Sequence, residues 1–368
     1  MKRSVVLWLA GFSVVACSSN DGLSVFDGGA DGNGDPGDGF NPPIKNDAAP
    51  PSGDGGLSLF YANDDHSLYQ LDPSTLAQSS MKLIGDFDCV PSQASVMTDI
   101  AVSKDGKLFG VSATAAWPLS IQTKSVFLPD AGADAGVSDG GSIDGGSSDG
   151  GPSDASVADA GPVTKTIVHC DAKWPLPFGT HFNGLTFSPE NTVSAKEVLI
   201  GGNALGNLYA IDQSSGNPTI VGTLGINKDN SLPWGVSGDI VFMANDGSPI
   251  GFATARTCTS NNACDPVDTL LEIDVKALKL GNNTSVVKAI RGQIKRSANC
   301  GDTTHATFGA IFGIVALGSK VYGFSRWGDF LTIDNDTGGG CYNWSAPGVN
   351  FAGAGITTTA PVTAPPPR

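Results

Sequence analysis

One phrase recurs along this 368-residue chain and leaves it few folds to choose from. It reads "SLYQLDPST" at Ser67–Thr75, "NLYAIDQSSG" at Asn207–Gly216, "TLLEIDVKAL" at Thr269–Leu278 and "DFLTIDNDTG" at Asp329–Gly338. Each copy is a short alternating run ending in Ile or Leu, followed by Asp72, Asp212, Asp274 or Asp334 and a polar turn. Period-two alternation is the mark of a strand with one buried face, and an Asp-led turn sends that strand into a hairpin. A further apolar strand follows most copies: "KLIGDF", "TIVGTLG", "SVVKAI". A second phrase lies between them: "DIAVSKDGKLFGVS" at Asp99–Ser112, "GLTFSPENTVSAKEVLIGG" at Gly184–Gly202, "DIVFMANDGSPIGFAT" at Asp239–Thr254 and "GIVALGSKVYGFS" at Gly313–Ser325. Each is two strands around a tight turn, and Asp105-Gly106 and Asp246-Gly247 supply the positive φ such turns need. The unit is therefore four antiparallel strands, and no long, capped run of helical period competes with it.

Units spaced roughly 40 to 60 residues apart have the period of a β-propeller blade. The turn Asp recurs at 212, 274 and 334, but 72 to 212 is a double step. The missing copy falls at Leu119–Ser125, with Gln122 in place of the Asp, and its following strand is Thr164–Cys170. The first unit, "LSLFYANDDHSLYQLD", lacks an innermost strand, and the last segment, "AGAGITTTAPV", is a lone strand. Joining them closes the ring. The expected fold is all-β: a single β-propeller of five four-stranded blades over residues 57–360, followed by a Pro-rich tail, 361–368. The pattern resembles extracytoplasmic propeller repeats of the quinoprotein-like and lactonase-like kinds across about 300 residues; it identifies a blade and not an activity.

Two segments lie outside that pattern. Residues 17–56 and 129–162 consist mainly of Gly, Asp, Pro, Ser and Ala, a composition that cannot bury enough apolar surface to offset chain entropy. The first reads as a flexible linker reaching roughly 35 Å. The second is a disordered insertion that extends one hairpin loop of the second blade, at a closure cost of roughly 3 kcal/mol. Each carries seven Asp, and together they supply most of the net charge of −15, so the acidity belongs to solvated spacers and not to a cation-binding surface. The Asp residues from Asp134 to Asp159 recur every five positions, without the nine-residue unit of repeat-type calcium turns. No basic stripe exists, which excludes the usual electrostatic footprint for nucleic acid.

The N-terminus assigns the compartment. "MKRSVVLWLAGFSVVACSSN" has a basic start, an apolar run too short to span a bilayer comfortably, and then "VVAC". This resembles the bacterial lipobox signal peptide. The resemblance implies that residues 1–16 are cleaved and that Cys17 carries the lipid, and the Ser18 that follows resembles an outer-membrane address. The expected location is an outer-membrane-anchored lipoprotein, periplasmic or exposed at the cell surface, and monomeric. Six further cysteines remain, Cys89, Cys170, Cys258, Cys264, Cys300 and Cys341, an even number in an exported chain. Cys258 and Cys264, six apart around "TSNNA", are the pair the spacing identifies, and the other pairings stay open.

In a propeller the loops from one blade's outer strand to the next blade's inner strand gather at one channel mouth. Here those loops hold Asp99, Trp174, His181, Asn183, Trp234, Asp239, His305 and Trp344, the aromatic and polar groups a small-ligand site uses. The competing reading is structural: Asp99 and Asp239 accept backbone N–H groups at strand entry, and the Trp residues seal blade junctions. His66 and His169 read as solvated or structural. No G-x-S-x-G, H-E-x-x-H or phosphate-binding Gly loop occurs. The sequence therefore favours a non-enzymatic binding or interaction module with no cofactor, whose partner is a protein, glycan or small molecule. The alternative is a metal-dependent hydrolase or lactonase-like enzyme in which Asp99, Asn183 and Asp239 hold calcium or another hard cation and His181 or His305 is the base.

Overall fold

The computed structural model describes residues 60–72, 74–90, 96–126, 163–177, 179–245, 248–261, 263–318 and 320–360. The lipobox with Cys17, the linker, the 129–162 insertion, the Asp246-Gly247 turn and the tail lie outside these residues. The described chain is β-propeller-like, and its regular structure is almost entirely strand. Helical structure among the described residues is confined to short 3-10 turns such as Gln78–Ser80 and Val275–Ala277.

The strands fall into repeated antiparallel meanders. The first holds β1 (Phe60–Asn63), β2 (Ser67–Leu71) and β3 (Lys82–Phe87). The second holds β4 (Met97–Val102), β5 (Leu108–Ser112), β6 (Ala115–Val126) and β7 (Val163–Cys170), with the short β8 (Trp174–Pro175) beside β6. The third holds β9 (Gly184–Ser188), β10 (Val198–Gly202), β11 (Asn207–Ile211) and β12 (Pro218–Thr223). The fourth holds β13 (Trp234–Met243), β14 (Ile250–Thr257), β15 (Thr269–Ile273) and β16 (Val287–Gln293). The fifth holds β17 (Ile311–Leu317), β18 (Lys320–Ser325), β19 (Asp329–Asp334) and β20 (Gly340–Ser345). The last strand, β21 (Gly353–Gly355), returns to the first unit and pairs antiparallel with β1, Tyr61 opposite Gly355 and Asn63 opposite Gly353. It is the missing inner strand of that unit. The first two units merge into one sheet through a parallel contact of their outer strands, Asp86 with Ile167 and Phe87 with Val168.

The recurrent Asp has a physical role at the turn. Asp72 Oδ1 accepts the N–H of Ser74, Asp212 Oδ1 those of Ser214 and Ser215, Asp274 Oδ1 that of Lys276, and Asp334 Oδ1 those of Asp336 and Thr337. Where Gln122 stands instead, no such turn forms, and β6 and β7 stay paired as far as Val126 and Val163. The segment that holds the insertion thus connects the far ends of β6 and β7.

The inner strands form a closed cycle: β4 packs on β9, β9 on β13, β13 on β17, β17 on β21 and β21 on β4. Apolar clusters fill the wedges between neighbouring units. Tyr61, Leu68, Ile100 and Trp117 lie between the first and second; Phe109, Phe182 and Phe187 between the second and third. Leu208, Val236 and Leu271 lie between the third and fourth, and Phe60, Phe252, Phe324 and Phe351 bring the fourth and fifth against the first. The core is therefore distributed around the ring. Removing any one inner strand uncovers two wedges.

Candidate functional site

At one height on the five inner strands the chain reads "TDIAV", "NGLTF", "GDIVF", "FGIVA" and "AGAGI". Two of these strands carry an aspartate there, Asp99 and Asp239, and the other three carry Gly184, Gly313 and Gly353. Both carboxyl groups are fully buried. Asp99 Oδ1 accepts the N–H of Ile100 at 2.8 Å and of Ala354 at 3.1 Å, and its Oδ2 accepts that of Leu185. Asp239 accepts the N–H of Ile240 at 2.5 Å and of Ile314 at 2.7 Å. The two side chains thus bind backbone donors from β4, β9, β13, β17 and β21. The glycines make room for them: a Cβ on Gly353 would stand 2.0 Å from Asp99 Oδ1, and one on Gly184 would stand 3.0 Å from the Asp239 Cα.

The charge of one carboxyl is felt by the other. Burial away from water disfavours charge on either one, and the negative charge of Asp239 adds to the effect at Asp99, so both titrate above the ordinary carboxylate range. The axis of the ring is closed by a polar plug and is not an open channel. Asn63 lies beside it, fully buried, donating to the carbonyls of Asp64 and Met97, and its Oδ1 has no hydrogen-bond donor.

The remaining candidates from the sequence do not join the pair. Asn183 is turned away from it and donates to the Val236 carbonyl at 2.7 Å. Trp174 stacks on Phe109 with centroids 5.9 Å apart, and Trp234 is buried in the wedge between the third and fourth units, so both seal junctions. Trp344 stacks on Phe330 and donates its Nε1–H to the Leu76 carbonyl. His181 is exposed at its loop surface, although partial desolvation of its ring lowers its pKa. His305 stands at the perimeter, stacked on Tyr342 at 4.4 Å and paired through Nδ1 with Asp302 at 2.9 Å. His66 Nδ1 bonds to the Val90 carbonyl and His169 Nδ1 to Asp88. Neither His181 nor His305 comes to the carboxyl pair as a base. Among the described residues no group of three or more His, Cys, Asp or Glu is placed to hold a metal ion.

Features absent from the sequence reading lie at the two ends of the ring. At the end where outer strands pass to inner ones, Arg326 forms a two-pronged bond to Asp65, both contacts 2.7 Å, and so ties the fifth unit to the first. At that same end the turn residue Trp327 is 72% exposed, Ile226 64% and Leu205 57%. The loops carrying Leu205 and Ile226 are bonded together, Leu224 N–H to the Gly206 carbonyl at 2.7 Å. At the opposite end are two depressions of about 330 and 430 Å³ that share Pro249 and Lys276. Several of their charged groups are paired with one another: Lys104 pairs with Glu190 at 2.7 Å, Glu197 accepts from Thr358 and from the Lys104 N–H, and Glu272 takes Lys288 and Arg291.

Cys258 pairs with Cys264 as the spacing indicates. Cys89 with Cys170 and Cys300 with Cys341 complete three disulfides, which clamp the outer strands of the first two and last two units respectively. Three disulfides mark a chain that folds in an oxidising, extracytoplasmic compartment. Among the described residues no helix is long and apolar enough to cross a membrane.

No family model matches the sequence, and no curated protein is significantly similar to it. Among solved structures, a protein of unknown function from Bacteroides caccae is similar over 82% of this chain and 99% of its own, at 8% identity and a TM-score of 0.35. BamB from Moraxella catarrhalis is similar over 80% of this chain, at 14% identity and a TM-score of 0.27; the match spans 62% of BamB. A chain of the mitotic checkpoint complex is similar over 81% of this chain and 78% of its own, at 7% identity and a TM-score of 0.31. At such scores the strand order and registers, not the superpositions, define the architecture.

Proposed function

We propose that this chain is a lipid-anchored, extracytoplasmic interaction module. In this reading its single five-bladed β-propeller is tethered through Cys17 and the 18–56 linker to the outer membrane, and it binds a partner protein without chemistry of its own. The observation that carries the reading is the plugged axis: the two buried acids are committed to backbone donors from every inner strand, which leaves recognition to the outer surfaces. Of those surfaces, the rim with Leu205, Ile226 and Trp327 presents apolar side chains to solvent, whereas the carboxylates Glu190, Glu197 and Glu272 of the depressions at the other end are bonded to neighbouring groups of the chain. Large exposed aromatic and aliphatic groups on rigid turns are the usual anchors of protein contacts. The Trp327 turn is rigid, since Ser325 Oγ accepts the N–H groups of both Trp327 and Asp329. The calcium and hydrolase readings have no such support, because Asn183 and the histidines lie apart from the acids.

Photo-crosslinking in living cells tests the reading. A photoreactive residue at Leu205, Ile226 or Trp327 is expected to give a discrete protein adduct, and one at Leu83 on the outer strand β3 is expected to give none. The Cys17→Ser variant is expected to leave the membrane fraction and to lose the adduct. Absence of adducts at all three rim positions in the anchored protein would remove the proposed partner surface. Retention of Cys17→Ser in the membrane would remove the anchor.

A further inference from the structure

The buried acids do more than fasten strands. Asp99 and Asp239 are both fully buried, on inner strands that flank β9, and two carboxyl groups enclosed there away from water favour a proton over two charges. The surroundings hold no cation to substitute for that proton. β4 carries no charged group besides Asp99, and β13 none besides Asp239; β9, β17 and β21 carry none. β14, which reaches the pair through Thr254, carries Arg256, but that guanidinium is committed to Asp268 at 2.6 and 3.1 Å. Asp268 in turn accepts the N–H of Ile311. β1 brings Asn63, whose buried Oδ1 is one more acceptor in need of a donor, and Tyr61, whose hydroxyl meets Gln70 instead. Backbone N–H groups already occupy the carboxyl oxygens; they favour the charged form, but burial outweighs them, and they leave the oxygens committed to strands and not to a metal ion.

We propose that the Asp99–Asp239 pair is a buried proton-binding site that latches the ring shut. With the proton in place the pair holds all five inner strands. Without it, two buried negative charges repel each other in a medium of low dielectric, with no counter-charge beside them. The weakest joint is β21. Every other inner strand continues into a hairpin of its own unit, but β21 is three residues long, and it meets β1 and β4 without a chain connection. Its Ala354 N–H is bound to the very carboxyl that would become charged. Deprotonation is therefore expected to release the C-terminal strand first.

The direction of the pH effect follows from proton counting. In the unfolded chain each Asp ionises near its ordinary value of about 3.9, so at neutral pH the folded ring holds a proton that the unfolded chain has lost. Stability is then complete below that value and declines as pH rises, by about a factor of ten in the folding constant per pH unit for one proton, until the folded pair itself ionises. Other acids do not produce this trend. Asp212, Asp302 and Asp334 lie below the ordinary range because side-chain hydroxyls and backbone N–H groups bond to them, and their contribution is complete in mild acid. His181 is lowered by desolvation and Glu197 is raised by burial, but both lie away from the axis and persist in a variant that removes the pair.

The test compares the full chain with Asp99→Asn/Asp239→Asn by denaturant unfolding between about pH 5 and pH 9. The parent is expected to lose about tenfold in folding constant per pH unit relative to the variant over the part of that range where the pair keeps its proton, with hydrogen exchange at residues 353–356 rising first after correction for intrinsic rate. Parallel pH profiles would overturn the proposal. Should the double variant fail to fold, the parent alone decides. Infrared spectroscopy with carbon-13-labelled aspartate is expected to show a protonated carboxyl band at neutral pH that vanishes as β21 begins to exchange. Absence of that band would equally overturn it.

Discussion

Three glycines and two aspartates share one layer of the ring axis, and their identities are interdependent. A Cβ at Gly353 would occupy the space of the Asp99 carboxyl, one at Gly184 would press on the Asp239 backbone, and one at Gly313 would meet Ala354, so the layer admits two side chains and excludes a third. Gly353→Ala is the sharpest test, because its Cβ would fall 2.0 Å from Asp99 Oδ1, where neither backbone nor a buried carboxyl has room to retreat. Overpacking of this kind costs typically 1–3 kcal/mol, and the accompanying loss of the Ala354 hydrogen bond brings the expected destabilisation to about 3 kcal/mol, read by denaturant unfolding. A change below about 1 kcal/mol would mean that the layer is loosely packed. The convergence of Asp99 and Asp239 is legible in the sequence, since the Ile100 and Ile240 that follow them share one register. Asn183 is not part of it for an equally simple reason: it precedes the axial Gly184 by one residue, and alternation along a strand sends it to the other face. Gly313 and Gly353 could not be read as axial residues from side-chain chemistry, because they contribute only space and an N–H from the next residue.

At the scale of elements, the repeated Asp-led turn made the strands legible, and its loss at Gln122 explains why one hairpin runs on to carry the insertion. The disulfides were legible only where both cysteines share one turn. Cys258 and Cys264 are six apart, whereas Cys89–Cys170 and Cys300–Cys341 join neighbouring units through contacts that exist only once the ring has formed. Their separations also order their effects. In the chain-entropy treatment, replacing Cys89 and Cys170 by Ala costs roughly 4 kcal/mol, because the bridge closes 81 residues that include the insertion, whereas replacing Cys258 and Cys264 costs roughly 2 kcal/mol. Thermal and denaturant unfolding of the two double variants check the order. The reverse order would show that the Cys89–Cys170 loop is already restricted in the unfolded chain.

At the scale of the whole molecule, a ring of wedges is stable only when closed, since an open end exposes inner-strand edges and two apolar faces. Closure here rests on β21 at the seam, reinforced by the Arg326–Asp65 fork between the fifth unit and the first. The sequence announced that seam through an incomplete first unit and an unpartnered last strand. It did not announce the rim, because an exposed Trp327 or Leu205 is distinguishable from a core residue only after the turns that carry them are placed. The central claim is that one carboxyl pair binds all five inner strands into a single cooperative ring. Site-resolved hydrogen exchange at the amides of Ile100, Leu185, Ile240, Ile314 and Ala354, in mild acid where the pair keeps its proton, tests it most directly. All five are expected to exchange only through global unfolding, with one common opening free energy that includes Ala354 despite its place near the chain's C-terminus. Fast exchange at Ala354 with the other four still protected would contradict the account, because the ring would then be open at its seam.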